Sequence, residues 1–533
     1  MTLHSRTAKA GRDSAASAIA VPAVLAAFFA AVTAAGLAFP FIGLTDASLW
    51  GDELWTLYLS DPALAPAELL HERIVRDVHP PLYYLMQNQW LRLFDDPVLG
   101  ARLLGALCAA GLVAAVLAFG RRFLSMTGTL FLSALIVTSY AFIVYAHEAR
   151  NYALVFALGT LLALLMTEAL RRIGAERRLS AGLLTGLGAV AALAGLTHYY
   201  GFLLAGAVFG VILTGALAVR RWRDAALIAA VGTVVFAVDA GYALWQLPQA
   251  TNGLDEVWIG ESAGWYALQI KEFAWLAGGG QHGILAVLLG LAVAFAVAVR
   301  RSGPAAALAR HALPVLPYAG AVLLVILFGM LLSALWAPSV TSRNLLVTVP
   351  MVWFGLAVAV DAALRSPSAW ARRSAAAGAA VSIGVGAVFA AATGGAVKEE
   401  WRDSAAFVET LAACRDTAIP VAGPAAVHAP FGPHADHFYG FYLTRPDRYR
   451  FVNIRNPGNA GAQPEGDCPI LLWAARELDL PEIRAVLDRA APGTRIITFP
   501  NTRQWDCWPT RCRLFDRTRE VGAMVVLKPA ALP

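Results

Sequence analysis

The stretch Trp50-Gly51-Asp52-Glu53-Leu54-Trp55 places two carboxylates just beyond the first long apolar segment, residues 18–44. A second polar cluster, Asp77-Val78-His79-Pro80-Pro81, follows in the same connection. Charged groups are costly at a membrane boundary, where they commonly bind ions or polar substrates or transfer protons. The pair at Asp52 and Glu53 therefore indicates a functional site, with an ordinary helix cap as the simpler alternative.

The composition indicates that the lipid bilayer is the solvent for most of the chain. Of 533 residues, 58% are hydrophobic and 15% are charged, and the mean hydropathy is +0.59. An apolar segment of about 20 residues is long enough to cross a bilayer. These properties predict a polytopic α-helical membrane protein with about 11 transmembrane helices. The predicted spans are 18–44, 98–119, 124–144, 152–170, 180–197, 201–219, 225–245, 282–299, 312–336, 344–363 and 374–393.

Basic residues alternate between the two sides of the predicted bundle. The N-terminal tail and five alternate connections carry 18 Lys and Arg residues, whereas the connections on the opposite side carry six. Positive residues are enriched on the cytoplasmic side of membrane proteins, so the N-terminus is predicted to be cytoplasmic and the C-terminal region extracytoplasmic. The net charge of +6 is therefore a topology signal, and no nucleic-acid partner is expected.

The spans divide the chain into regions with different environments. The predicted regions are a cytoplasmic tail at 1–17, a transmembrane domain at 18–393 and an extracytoplasmic soluble α/β domain at 394–533. The first extracytoplasmic loop, 45–97, is too long for a simple turn, and its aromatic stretch 82–94 is predicted to form an interfacial helix. A cleaved signal peptide is the alternative for residues 1–44, but the apolar run is longer than a typical signal sequence.

The C-terminal region has the patterns of a small α/β domain. Short apolar runs at 469–474, 495–499 and 523–527 predict strands, and helices are predicted at 403–414 and 481–491.

Four of the five cysteines lie in this region, namely Cys414, Cys468, Cys507 and Cys512, whereas Cys108 lies in an apolar helix. An even number of cysteines in an extracytoplasmic region predicts two disulfides. Three pairings are open, of which Cys414–Cys468 with Cys507–Cys512 is preferred. A zinc site is the alternative, although the spacings match no familiar zinc pattern.

Further polar and aromatic residues fall at the predicted outer ends of several helices. Each has a simpler explanation: arginines extend to lipid phosphates, tyrosines form interfacial belts, and a buried His or Asp packs or bonds a neighbouring helix. Their shared depth instead predicts one polar cavity that opens outward. These residues are His79, Arg102, Arg150, Tyr152, His198, Tyr199, Asp239 and Arg343.

The order of these motifs resembles that of the C-type integral membrane glycosyltransferases. The similarity is to family 39, the bacterial relatives of protein O-mannosyltransferases and of the lipid A aminoarabinose transferase, and it covers roughly residues 18–363. The motifs that carry it are Asp52-Glu53, His79-Pro-Pro-Leu82, Glu148-Ala-Arg-Asn-Tyr152, His198-Tyr-Tyr200 and Ser342-Arg343. The C-terminal domain matches no motif of that family.

The resemblance implies a reaction at the outer face of the membrane. Such enzymes transfer a sugar from a polyprenyl-phosphate carrier to a hydroxyl group, usually with inversion at the anomeric carbon. It predicts a hexosyl- or pentosyltransferase in the bacterial cytoplasmic (inner) membrane. The expected partners are the lipid bilayer, the polyprenyl-phosphate sugar and an acceptor that is lipid A, another glycolipid, a glycan or a protein.

Roles for individual residues follow from the same resemblance. Asp52 matches the catalytic aspartate of the family and suits a general base for the acceptor hydroxyl. Glu53 is predicted either to raise the pKa of Asp52 by like-charge repulsion or to bind the acceptor or a cation. Arg150 and Arg343, with Arg102 as a third candidate, are predicted to stabilise the leaving phosphate.

The remaining candidates are hydrogen-bonding and metal-binding residues. Tyr152, His198 and Tyr199 are predicted to bond the phosphate or the sugar. His79 stands where several relatives carry an acidic residue or a histidine, so a divalent metal shared by His79 and His198 is an option. Some relatives work without a metal, so the resemblance does not require a cofactor. Asn344 departs from the family, in which an aromatic residue often follows the late arginine.

A transporter or flippase of lipid-linked sugars is the main alternative function. Transporters place polar residues near the bilayer midplane, often on broken helices in paired repeats. Here the ionisable residues lie at predicted outer helix ends, and no repeat is visible in the sequence. A ligase or polymerase of the O-antigen type is a third interpretation, but such proteins lack an Asp-Glu pair directly after the first span.

Overall fold

The fold is an assembly of long apolar helices with a small β-sheet near the C-terminus. The computed structural model describes residues 23–250, 259–278, 280–393, 399–423, 435–445, 448–453, 467–475, 495–501 and 520–528. In these ranges, nine helices are long and apolar enough to cross a membrane. They are Ala23–Phe41, Pro97–Arg122, Tyr152–Gly174, Tyr199–Ala218, Trp222–Gln249, His282–Ser302, Pro304–Leu335, Ser342–Leu364 and Ala369–Ala391. The predicted class, a polytopic α-helical membrane protein, is confirmed.

Two of the predicted spans correspond to shorter apolar helices. The segment 180–197 forms the helix Ala181–Thr197, and 124–144 is divided into Met126–Thr138 and Tyr140–Tyr145. The division falls at Ser139, whose extended backbone ends one helix and whose hydroxyl accepts a hydrogen bond from Phe142 N at 3.2 Å. Serine is a favoured N-cap, which explains why the second helix begins there. The count of eleven spans stays a prediction.

Small residues allow close packing between two of the membrane helices. A Cβ atom at Gly290 would lie 2.6 Å from Ser374 O and 3.0 Å from Gly378 Cα. The two backbones can therefore approach closely only because both helices present glycine at this crossing.

The first connection folds into short helices that cover one end of the bundle. They are Gly51–Leu59, Pro66–Glu72, the 3-10 turn Ile74–Arg76 and Leu82–Leu91. The last of these begins directly after Pro81, and its Tyr83 and Tyr84 side chains are buried. A proline can occupy the start of a helix because its missing N–H would be unbonded there.

A five-stranded sheet forms the core of the C-terminal region, with the helices Trp401–Thr410 and Ala435–Gly440. Its strands are β1 (Ile419–Gly423), β2 (Tyr449–Asn453), β3 (Ile470–Ala474), β4 (Arg495–Asn501) and β5 (Glu520–Leu527). Their order is β2-β1-β3-β5-β4, in which β1 is parallel to β2 and β3, and β5 is antiparallel to β3 and β4. The three predicted strands correspond to β3, β4 and β5, and the predicted α/β character is confirmed. The predicted helix 481–491 lies outside the described residues.

One of the two predicted disulfides is present in the structure. Cys414 and Cys468 are bonded, whereas Cys507 and Cys512 lie outside the described residues. Cys108 is a free, half-buried thiol in a membrane helix. The Cys414–Cys468 bond joins the segment before β1 to the segment before β3, so it ties together two neighbouring strands of the sheet.

Replacing Cys414 and Cys468 together by alanine is expected to destabilise the C-terminal region by about 2–4 kcal/mol. The bond spans a sequence separation of 54, and its loss returns that loop's conformational freedom to the unfolded chain. Denaturant unfolding followed by limited proteolysis of this region would measure the change. Cys108→Ala is the matched control and should leave the transition unchanged; an unchanged transition in the double variant would contradict the prediction.

Candidate active site

The helix that carries the acidic pair begins at the centre of the candidate site. Trp50 is its N-cap, and the Glu53 carboxylate accepts a hydrogen bond from Trp50 N at 3.3 Å. This hydrogen bond turns the Glu53 side chain back against the start of the helix. Asp52, in the same first turn, keeps its side chain 29% exposed. The two adjacent carboxylates therefore have different environments.

Glu53 forms a buried ion pair with Arg102. Its side chain is 1% exposed and accepts from Arg102 Nε at 2.8 Å and from Arg102 Nη2 at 2.7 Å. The Ala149 N–H donates to the same carboxylate at 2.8 Å. The other Arg102 donors bond the backbone carbonyls of Leu44, Ala47 and Ser48 at 2.8–2.9 Å. All five N–H donors of the guanidinium are thus used within the protein.

Asp52 faces two other arginines that are remote from it in the sequence. Arg343 Nη1 lies 3.2 Å and Arg150 Nη2 lies 3.8 Å from Asp52 Oδ2. The Arg343 side chain is 44% exposed and its guanidinium lies 5.3 Å from the Trp50 ring centroid. Arg150 is buried, and its Nη1 donates to the Asp52 carbonyl at 3.3 Å. Two cations therefore lie beside one partly exposed carboxylate.

Asp77 organises the second polar cluster. It accepts hydrogen bonds from Trp55 Nε1 at 3.0 Å, from the His79 backbone N–H at 3.1 Å and from His79 Nδ1 at 3.0 Å. Burial opposes ionisation of this carboxyl, but the charge and hydrogen bonds of His79 outweigh it and lower the pKa of Asp77. Because a carboxylate only accepts, His79 Nδ1 is the donor of this hydrogen bond.

The structure places the two predicted histidines beside each other. The His79 and His198 rings are T-shaped, with centroids 5.8 Å apart. His198 Nδ1 accepts from Tyr200 N at 3.1 Å, so its Nε2 carries the proton of the neutral ring. This Nε2 is buried and has no hydrogen-bond partner among the described residues.

The predicted tyrosines border the same region. Tyr199 donates its hydroxyl to Gln246 Oε1, and the Tyr152 ring centroid lies 5.9 Å from the Arg150 guanidinium carbon. Asp239 is separate from the acidic pair and packs instead against Gly195 of the helix Ala181–Thr197.

The sequence left a divalent metal at His79 and His198 as an option. His79 and His198 supply two nitrogens, but the described part of the chain contains no group of three or more His, Cys, Asp or Glu side chains that could hold a metal ion. His198 has an N–H at Nε2 without a partner among the described residues, which suits hydrogen bonding to a polar ligand.

The sequence patterns assigned no individual role to three residues of the site. Gln246 Nε2 donates to the carbonyls of Ile74, Asp77 and His79 at 2.8–2.9 Å, and so ties the first connection to a membrane helix. A single neutral glutamine at a helix end carries no signal that would have identified it. Glu148 is a buried carboxylate in the motif that supplies Arg150, and Glu399 contacts the helix of Asp52.

Comparisons with known proteins identify the fold. No protein-family model and no curated protein matches the chain. Two solved structures of ArnT from Cupriavidus metallidurans match it with a TM-score of 0.50 and 13% identity. The apo structure covers 94% of this chain and 97% of its own, and the structure bound to undecaprenyl phosphate covers 95% and 98%. The chain therefore has an ArnT-like fold, as the resemblance to C-type membrane glycosyltransferases predicted.

Proposed function

We propose that the protein is a membrane glycosyltransferase that moves a sugar from a polyprenyl-phosphate carrier to a hydroxyl of an extracytoplasmic acceptor. The observation that carries the proposal is the partly exposed Asp52 carboxylate. Its Oδ2 lies 3.2 Å from Arg343 Nη1 and 3.8 Å from Arg150 Nη2. An accessible base beside two cations suits a reaction that takes a proton from one substrate and releases a phosphate from the other. The ArnT-like fold, with one ArnT structure bound to undecaprenyl phosphate, supports the lipid carrier.

In the proposed reaction, Asp52 is the general base. The acceptor oxygen attacks the anomeric carbon while its proton passes to the Asp52 carboxylate. The new bond joins that oxygen to the anomeric carbon, and the bond from the anomeric carbon to the phosphate oxygen breaks. Its electron pair leaves with the polyprenyl phosphate, so attack from the opposite face inverts the anomeric centre.

Arg150 and Arg343 are proposed to bind the phosphate as its charge grows. Arg343 has an exposed guanidinium, and Arg150 Nε has no hydrogen-bond partner among the described residues. Fixed cations that need no rearrangement stabilise a developing anion effectively. Four further side chains are proposed to contact the sugar or the phosphate, namely His79, Tyr152, His198 and Tyr199.

Glu53 and Arg102 are proposed to position the base and not to contact substrate. The sequence prediction placed Glu53 with the catalytic residues and Arg102 with the substrate-binding residues. Their mutual burial and complete hydrogen bonding favour a structural role, because neither retains a free group for a ligand.

The proposed location is the bacterial inner membrane, with a cytoplasmic N-terminus and an extracytoplasmic C-terminal domain. The distribution of Lys and Arg supports this orientation. The Cys414–Cys468 disulfide supports it independently, because such bonds persist in oxidising compartments. The proposed acceptors are lipid A, another glycolipid, a glycan or a protein.

Mass spectrometry of envelope glycolipids, glycans and membrane glycoproteins tests the function. A deletion strain should lack one sugar modification, and the wild-type gene should restore it. The mass difference and the molecule that carries it would identify the sugar and the acceptor class. If no modification changes while lipid-linked sugars shift between the two leaflets, the protein is a transporter and the proposal is wrong.

Replacing Arg343 by glutamine is expected to weaken binding of undecaprenyl phosphate about 10- to 100-fold. This corresponds to losing one charge-assisted hydrogen bond of about 1.5–3 kcal/mol. Titration of the purified full-length protein, followed by tryptophan fluorescence, measures the affinity. Arg76→Gln, which removes an exposed arginine from the first connection, is the matched control. Equal affinities for the two variants would remove Arg343 from the phosphate site.

A further inference from the structure

The helix that carries Asp52 is capped by a residue from the far end of the chain. Gly51, the first residue of this helix, donates its backbone N–H to Glu399 Oε2 at 2.7 Å. Glu399 is 5% exposed and precedes the first helix of the C-terminal region, Trp401–Thr410. The Trp401 indole also donates to Glu399 Oε2, at 2.7 Å, and holds the carboxylate in place.

Neighbouring residues fasten the same two segments together. Ser48 Oγ accepts hydrogen bonds from the backbone N–H groups of Trp401 and Arg402, each at 3.1 Å. The Leu49 N–H donates to the Tyr442 hydroxyl at 3.0 Å. Several hydrogen bonds therefore join residues 48–51 to the C-terminal region, and the bond to Glu399 is the one among these three sets that ends on a residue of the helix Gly51–Leu59.

The bond between Gly51 and Glu399 holds the first turn of the helix, which contains Asp52. The first N–H groups of a helix have no partner within the helix, so an external acceptor determines how the first turn is held. The Gly51 amide immediately precedes Asp52 along the backbone. A carboxylate at this end is also favoured by the helix dipole, whose positive end lies there.

Resting on the proposed function, we propose that Glu399 is a positioning residue that aligns Asp52 with the acceptor hydroxyl. Its carboxylate fixes the first turn of the helix, and the C-terminal domain thereby contributes directly to the active site. When the C-terminal domain docks, Glu399 reaches the Gly51 N–H and Asp52 is aligned at the same time. Gly51 and Glu399 are 348 positions apart in the chain, so no local sequence pattern predicts the contact.

Hydrogen–deuterium exchange and transfer rates in three variants test this role. Glu399→Ala removes the acceptor, Glu399→Gln retains a carbonyl oxygen that can accept the Gly51 N–H, and Tyr442→Phe removes a different bond between the same segments. In Glu399→Ala, amide exchange at residues 51–53 should rise at least 10-fold and the initial rate of sugar transfer should fall at least 10-fold. Affinity for undecaprenyl phosphate should stay within twofold. Glu399→Gln and Tyr442→Phe should keep both the exchange and the rate within about threefold of wild type.

Three results would overturn the positioning role. Equal losses in Glu399→Ala and Tyr442→Phe would mean that domain docking alone matters. Equal losses in Glu399→Gln and Glu399→Ala would mean that the charge, and not the bond to Gly51, matters. Unchanged exchange at residues 51–53 in Glu399→Ala would show that the bond does not hold the helix. Because exchange is measured without any substrate, failure of the glycosyltransferase proposal would appear separately, as a wild-type protein that restores no sugar.

Discussion

Replacement of Asp52 by asparagine is expected to reduce the initial rate of sugar transfer about 1000-fold, within the range that a general base contributes. Asparagine has nearly the same shape and keeps an oxygen that accepts from Arg343, whose Nη1 lies 3.2 Å from the carboxylate. It cannot take the proton of the acceptor hydroxyl. The variant should therefore fold and bind undecaprenyl phosphate normally, because a negative charge beside the phosphate site is removed and none is added.

The measurement is mass-spectrometric quantification of the modified acceptor in the deletion strain, complemented with wild type or Asp52→Asn at matched expression. Asp95→Asn is the control, since it removes an exposed carboxylate from the same connection. Full restoration of the sugar by Asp52→Asn would exclude Asp52 as the base. A loss of undecaprenyl phosphate binding in the same variant would point instead to a damaged site.

Most of the fold could be predicted because a bilayer imposes a simple pattern on sequence. Apolar runs of sufficient length identified the membrane helices, and Pro81 marked the start of the helix Leu82–Leu91. The break at Ser139 was not predicted, because the residues on both sides are equally apolar and a hydroxyl cap adds little to a hydropathy pattern. Strand β1 was missed because it contains proline and glycine, and β2 was missed because Arg450 and Asn453 interrupt its apolar pattern.

The candidate site could be predicted as a set of residues but not as an arrangement. Polar residues at helix ends predicted a shared site for Asp52, Arg150 and Arg343, and the structure places the two guanidinium groups 3.8 Å and 3.2 Å from the Asp52 carboxylate. Sequence position could not tell that Glu53 faces Arg102 while its neighbour Asp52 faces the other arginines. On a helix, adjacent side chains point about 100° apart, so only the surrounding elements decide which of the two is buried. Contacts such as Gly51–Glu399 need the full fold, because the partners are remote along the chain.

Glu53→Ala is expected to destabilise the protein by about 3–5 kcal/mol, because it leaves the buried Arg102 charge without its carboxylate. Both side chains are at most 5% exposed, so water cannot replace the lost partner. Unfolding in detergent, followed by tryptophan fluorescence, measures the change. Asp61→Ala in the half-exposed Arg73–Asp61 pair of the same connection is the control, with an expected cost of about 1 kcal/mol or less.

A double-mutant cycle with Arg102→Met separates the pair from its surroundings. The Glu53→Ala/Arg102→Met variant should be more stable than the sum of the single losses predicts, because neither charge is then buried alone. It should not reach wild-type stability, since Arg102 also bonds the carbonyls of Leu44, Ala47 and Ser48. Additive losses would mean that the two side chains act independently. The positioning role proposed for the pair would then have to rest on Arg102 and its carbonyl partners alone.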